Sequence, residues 1–273
     1  MKKHRTLTSS LELSNAVRRD VLRMTHRARK SHVGSSLCCV DILAVLYHSI
    51  AKVDPLNPRA EDRDRVIISK GHCAAAVYAT LANSGFIPVS MLKEYCTDGS
   101  PLIGHVTVGV PGVEFSTGSL GHGLPFAVGS AIAASRDGSE RRTFALLSDG
   151  EIDEGSSWES ALLGAHHDLR ALTVIIDRNG LQSLTTTENT LALEPLAAKW
   201  EAFGWNVVTI DGHSHDELEQ SLASTAAMPT CIIAKTIKGK GVEFMENQVL
   251  WHYQSPSDED LAKAIRSLES EGQ

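Results

Sequence analysis

The sequence predicts an α/β fold, doubly wound, with a mainly parallel sheet and helices on both faces. Two observations predict it. Five short apolar runs of strand length recur along the chain, at 66–69, 144–147, 173–176, 207–210 and 231–235. Between them lie stretches with apolar residues at helical spacing, such as 158–167 and 196–203. Strands alternating with helices build βαβ units, and βαβ units build parallel sheets.

The flanking elements follow the same logic. Segment 11–30 carries its apolar residues at helical spacing and ends in a basic turn, which suits the negative end of a helix dipole. Segment 40–51 reads as a buried helix, broken by Asp54-Pro55-Leu56-Asn57-Pro58. Segment 257–268 is amphipathic, with Ser257 or Asp258 as its N-cap. With no internal repeat, low-complexity tract or linker, 1–273 reads as a single domain.

Composition narrows the function classes. A chain of 273 residues can bury one large core, and 42% apolar with 22% charged residues is ordinary for a soluble protein. A net charge of −7 offers no basic footprint for nucleic acid. No run approaches 18 continuous apolar residues, so no membrane span is expected. The basic start lacks an apolar stretch of signal-peptide type, so a cytoplasmic location is expected. The five cysteines, Cys38, Cys39, Cys73, Cys96 and Cys231, form no CxxC pair and read as small buried hydrophobes.

Two strand ends carry chemistry. The run 144–147 leads into Ser148-Asp149-Gly150-Glu151, and 173–176 leads into Asp177-Arg178-Asn179-Gly180. Asp149 and Asn179 are 30 residues apart, about one βαβ unit. A right-handed crossover then sets both at the carboxyl edge of neighbouring strands, where open α/β sheets bind ligands. One carboxylate, one amide oxygen and two diphosphate oxygens suit Mg²⁺. Gly150 lets backbone approach a phosphate closely. Asp-Gly and Asn-Gly are also common turn pairs, so the spacing carries the reading rather than either pair alone.

These residues resemble the signature of thiamine-diphosphate (ThDP) enzymes, Gly-Asp-Gly followed about 30 residues later by Asn. The resemblance implies Mg²⁺ ligands at Asp149, Asn179 and the Leu181 carbonyl, with Ca²⁺ or Mn²⁺ as possible substitutes. Ser148 stands where the first glycine is usual.

Histidines in glycine-flanked loops identify the branch. They lie in Ser31-His32-Val33-Gly34, in Ser69-Lys70-Gly71-His72, in Gly104-His105 ahead of Pro111-Gly112-Val113-Glu114 and Thr117-Gly118-Ser119-Leu120-Gly121, and in Trp251-His252-Tyr253. In this order they look like the N-terminal domain of transketolase, over about residues 11–256. The resemblance implies that His32, His72, His105 and His252 line the channel to the thiazolium and bind the donor ketose, with His72 and His252 also near the diphosphate. It further implies that Gly118 meets the cofactor through backbone, that Leu120 packs on its aminopyrimidine, and that Glu154 lies at a subunit interface near the activating glutamate. Imidazole suits proton transfer near neutral pH. The runs 181–184 and 238–247 are similar to bacterial split transketolases, and Ser183 stands where one-chain relatives often carry isoleucine.

Nothing in the sequence corresponds to the family's pyrimidine-binding and C-terminal domains. The resemblance therefore implies a partner chain carrying them, an α2β2 assembly, and sugar or sugar-phosphate substrates. The implied activity is transfer of a two-carbon glycolaldehyde unit from a ketose donor to an aldose acceptor. Two alternatives stand beside it: transfer to an unusual acceptor in a specialised pathway, and a non-catalytic component that keeps the fold. A generic nucleotide-binding domain lacks its GxGxxG or P-loop.

Overall fold

Each of the five apolar runs forms a strand in the computed structural model, which describes residues 7–270. They are β1 (Arg65–Ile68), β2 (Thr143–Ser148), β3 (Leu172–Arg178), β4 (Asn206–Asp211) and β5 (Thr230–Lys235). The basic stretch at 1–6, weighed above as a targeting signal, lies outside the described residues. All neighbours pair in parallel, in the order β1-β2-β3-β5-β4.

The helices in chain order are α1 (Ser10–Ala28), α2 (Val33–Leu37), α3 (Val40–Val45), α4 (Ala74–Asn83), α5 (Gly123–Arg136), α6 (Gly155–His166), α7 (Thr187–Thr190), α8 (Leu196–Ala202), α9 (His215–Ala223) and α10 (Asp258–Ser270). The strands sort their side chains between two cores. Val66, Ile68, Phe144 and Leu146 join the helices α1 to α4, α9 and α10 on one face. Ile67, Ala145, Leu147 and Ile176 join α5, α6 and α8 on the other. Successive side chains of a strand point to opposite faces, so a strand buried on both faces must be apolar throughout. This is why the central strands show unbroken apolar runs instead of alternation.

The segment Val33–Ile50 departs from the single helix expected over 40–51. By length and composition it passes as a membrane span, with mean hydropathy 1.6, yet 78% of it is buried inside the fold. It is also not one regular helix: α2 and α3 are followed by a π-helical turn at Leu46–Ile50. Its one carboxylate, Asp41, is buried and accepts hydrogen bonds from Arg18, from His213 Nδ1 at 2.8 Å and from His215 Nε2 at 3.1 Å. A buried charge of this kind is tolerable only when paired. The amphipathic C-terminal helix forms as expected, with the Asp260 N–H donating to Ser257 Oγ at 3.1 Å. The cysteines are free, and all but Cys96 are buried.

Candidate active site

The carboxyl ends of β1, β2 and β3 and the loops that follow them enclose a cavity of about 280 Å³. Ten of the residues singled out from the sequence line it: His32, His72, His105, Gly118, Leu120, Asp149, Gly150, Asn179, Leu181 and His252. Glu154 does not. Its side chain is exposed at the N-terminus of α6, packed beside Gly121.

Strand register places the first pair. Ser148 on β2 faces Asp177 on β3, so Asp149 and Asn179 leave adjacent strands side by side. Asp149 Oδ1 accepts from the Gly150 N–H at 2.9 Å, and Oδ2 accepts from the Gly180 N–H at 2.6 Å. Arg178 donates to Oδ2 at 3.3 Å. Burial, reinforced by the nearby Asp177 charge, pushes the Asp149 carboxyl above its usual range, and the Gly180 and Arg178 contacts only partly offset this. Asn179 Oδ1 accepts from the Leu181 N–H at 3.1 Å.

A cation lies beside these groups. Lys238 is buried, and its ammonium donates to the carbonyls of Leu181 and Gln182 at 3.3 and 3.4 Å and meets His252 Nδ1 at 3.1 Å. No carboxylate pairs with it among the described residues. Burial lowers its pKa. An ammonium in this state is stabilised by an anion entering the cavity, and a diphosphate is such an anion. Carboxylate, amide oxygen and carbonyl on one side, with a lone ammonium beside them, match the needs of a metal diphosphate.

The four imidazoles meet around His32. Its ring centroid lies 5.0 Å from His252, 5.5 Å from His72 and 5.9 Å from His105. His32 adopts a left-handed backbone at φ 70°, and its N–H donates to the His252 carbonyl at 2.8 Å, tying the late loop to the early one. Burial, then His105 and Lys238, lower the His32 pKa to about 4. Burial, then Lys238 and His32, lower that of His252 to about 3. His72 is likewise held well below its usual value by burial and by Lys70. These shifts favour the neutral rings at pH 7, and because Nδ1 of His252 accepts from Lys238, its Nε2–H is left to donate to a sugar hydroxyl.

Loop-to-loop bonds fix the third wall. Tyr78 donates to the His105 carbonyl at 2.8 Å, and Thr117 Oγ1 donates to the Ile68 carbonyl at 2.6 Å. Buried Glu151 accepts from Ser69 Oγ, from the Gly121 N–H at 2.8 Å and from the Ser148 N–H at 3.3 Å. At Gly118 a Cβ would come within 3.2 Å of the His105 ring, so the bare backbone leaves that face open.

The family model described as "Transketolase, thiamine diphosphate binding domain" matches residues 9–271. The chain belongs to the transketolase family. It is 40% identical over 263 residues to one of the subunits of the apulose-4-phosphate transketolase of Phocaeicola vulgatus, covering 95% of this chain and 94% of that one. It is 37% identical over 263 residues to the 6-deoxy-6-sulfo-D-fructose transketolase subunit SqwG of a Clostridium species, with 95% and 96% covered. The crystal structure of transketolase from Campylobacter jejuni superposes with a TM-score of 0.91 at 30% identity. That match covers 97% of this chain but 43% of the other, so the chain spans under half of a one-chain transketolase. The expected fold and family both hold, and the chain carries the ThDP-binding domain of this family of transferases.

Sequence reasoning overlooked several cavity residues of this transketolase-family chain. Lys238, Ser35, Gln182 and Tyr253 line the cavity with the predicted set, and so do Ser148 and Ser183, which the sequence already marks as departures from the family pattern. Lys238 carried a usable signal, because it follows the end of β5 in a Lys-Gly-Lys-Gly run, as Asp149 and Asn179 follow β2 and β3. Lys70 of the second histidine motif turns inward, where it forms a fully buried ion pair with Asp177. The Cys38 thiol donates to the same carboxylate at 2.8 Å, and burial pushes its pKa well up, which leaves it unreactive.

Proposed function

We propose that this chain acts with a pyrimidine-domain partner to move a two-carbon glycolaldehyde unit from a ketose to an aldose, on a modified, anionic sugar of a specialised pathway. One observation carries the substrate class. The full-length relatives at 40% and 37% identity are named for apulose-4-phosphate and 6-deoxy-6-sulfo-D-fructose, whereas human transketolase, a one-chain relative, is 33% identical. Their naming as subunits supports a partner chain, and the reading takes residues 1–273 as one diphosphate-binding domain in an α2β2 assembly.

Asp149, Asn179 and the Leu181 carbonyl would hold Mg²⁺, and Lys238 with His72 and His252 would hold the diphosphate. Gly150 and Gly118 would admit the cofactor against backbone, and Leu120 would pack on its pyrimidine. Bound ThDP supplies the nucleophilic carbon for carbon–carbon cleavage and formation. The chain's own part is to orient the sugar and manage protons. Neutral His32, His72 and His252, with His105 beside them, grip donor hydroxyls and pass protons, inside walls that shut out water. Glu154 would act from the contact between chains. Retention of this whole set speaks against a component without turnover.

Reconstitution tests the proposal. The chain with ThDP and Mg²⁺ alone should show no ketol transfer, and addition of a pyrimidine-domain partner should restore it. The pair should prefer a phosphorylated or sulfonated modified ketose to an unmodified pentulose phosphate. Asp149→Ala should abolish turnover. Activity of the chain alone, or full activity of Asp149→Ala, would overturn the reading.

A further inference from the structure

Both carboxylate oxygens of Asp149 are already engaged by the chain itself. Oδ1 accepts one hydrogen bond, from the Gly150 N–H at 2.9 Å. Oδ2 accepts two, from the Gly180 N–H at 2.6 Å and from the Arg178 guanidinium at 3.3 Å. A carboxylate oxygen offers about two lone-pair sites, so Oδ2 is full and Oδ1 has one site left.

Arg178 reaches Asp149 because the strand alternates. Asp177 points into one core to meet Lys70, so Arg178 at the end of β3 points the other way. Its guanidinium is anchored firmly. It donates to Thr187 Oγ1 at 2.6 Å, to Glu188 Oε1 at 2.9 Å and to Glu194 Oε1 at 3.1 Å, with 12% of the side chain exposed. Those two glutamates are themselves fixed. Glu188 accepts from the Leu193 N–H at 3.3 Å, and Glu194 accepts from the Leu196 N–H at 2.9 Å. The guanidinium therefore cannot swing away without opening the 187–196 loop.

We propose that Arg178 is a positioning residue that limits Asp149 to one-oxygen coordination and so tunes the metal site toward Mg²⁺ over Ca²⁺. Mg²⁺ is small, demands octahedral geometry and takes carboxylates through single oxygens, whereas Ca²⁺ is larger and often takes both oxygens of one carboxylate. Capping Oδ2 removes the two-oxygen mode. The inference rests on the reading of Asp149 as a metal ligand given above.

Calorimetric titration of the full chain with MgCl₂ and with CaCl₂, at saturating ThDP, tests it without an activity assay. Arg178→Gln should shift the ratio of the two dissociation constants toward Ca²⁺ by about tenfold, a normal size for the loss of an outer contact to a metal ligand. Arg178→Lys, which keeps a cation but loses the fork, should lie between. If Arg178→Gln melts at the assay temperature, the Glu188→Gln, Glu194→Gln double variant loosens the guanidinium without removing it and should shift the ratio the same way. Asp149→Asn should abolish saturable binding of both metals. An unchanged ratio beside a dead Asp149→Asn overturns the role of Arg178 and leaves the metal site standing. Unchanged binding in Asp149→Asn overturns the metal site itself, and the inference with it.

Discussion

His32 and His252 sit where burial and a neighbouring ammonium keep their rings uncharged down to about pH 4 and about pH 3. In an unfolded chain each ring titrates near about 6.5. Between those values the unfolded chain binds more protons than the folded one, so stability is full above about pH 6.5 and declines as the pH falls toward about 4. The denaturant midpoint should therefore fall between pH 7 and pH 5. The His32→Asn, His252→Asn double variant should lose much of that slope, and an unchanged slope would show that other groups set it. Lys238 is the second residue with a measurable consequence. Lys238→Met removes a charge-assisted contact worth about 1.5–3 kcal/mol, so ThDP should bind roughly 10- to 150-fold more weakly. Fluorescence quenching by ThDP reads this directly.

The elements place these residues through loops rather than helices. β1 ends at Ile68, and Gly71, three residues on, brings the His72 loop against the Thr117 loop. A Cβ at Gly71 would lie 2.3 Å from the Thr117 carbonyl oxygen, which is backbone and cannot rotate aside. Gly71→Ala should cost about 1–3 kcal/mol of stability and displace His72. A lowered melting temperature with weakened ThDP binding would show both effects. The elements also mark where sequence reasoning failed. The nine residues Ala74 to Ala82 of α4 are all buried, so the helix has no polar stripe and no period to detect. α5 opens Gly-Leu-Pro, which reads as a turn, although proline is welcome in the first turn of a helix. The break of 40–51 into α3 and a π-turn has no local signal in the apolar pattern.

At the scale of the molecule, the strands and the two polar strand-end residues that line the cavity were legible because a parallel sheet writes its plan in one dimension. Apolar runs mark its strands, and polar residues just past them mark its binding edge. Asp149 and Asn179 were found that way. Lys238 obeys the same rule but went unread, because a lysine among glycines resembles an ordinary solvated turn until the fold shows it buried. Gln182 and Tyr253 enter the cavity only through loop paths that no local pattern records. The whole-molecule expectation concerns assembly. Sedimentation of the chain mixed with a pyrimidine-domain partner should show two copies of each, with tighter ThDP binding than either chain gives alone. A stable one-to-one complex would remove the α2β2 arrangement.

The buried ammonium, with no carboxylate partner among the described residues, has a practical side. Until ThDP arrives, Lys238 presents an unmatched charge that any small oxyanion in solution can meet. If Lys238 holds the diphosphate as proposed, inorganic phosphate and sulfate should compete with ThDP, and an apparent cofactor affinity should depend on the buffer. Titrations in phosphate should understate the affinity found in an amine buffer. Inside a cell, the free phosphate concentration would set how much ThDP is needed to load the protein.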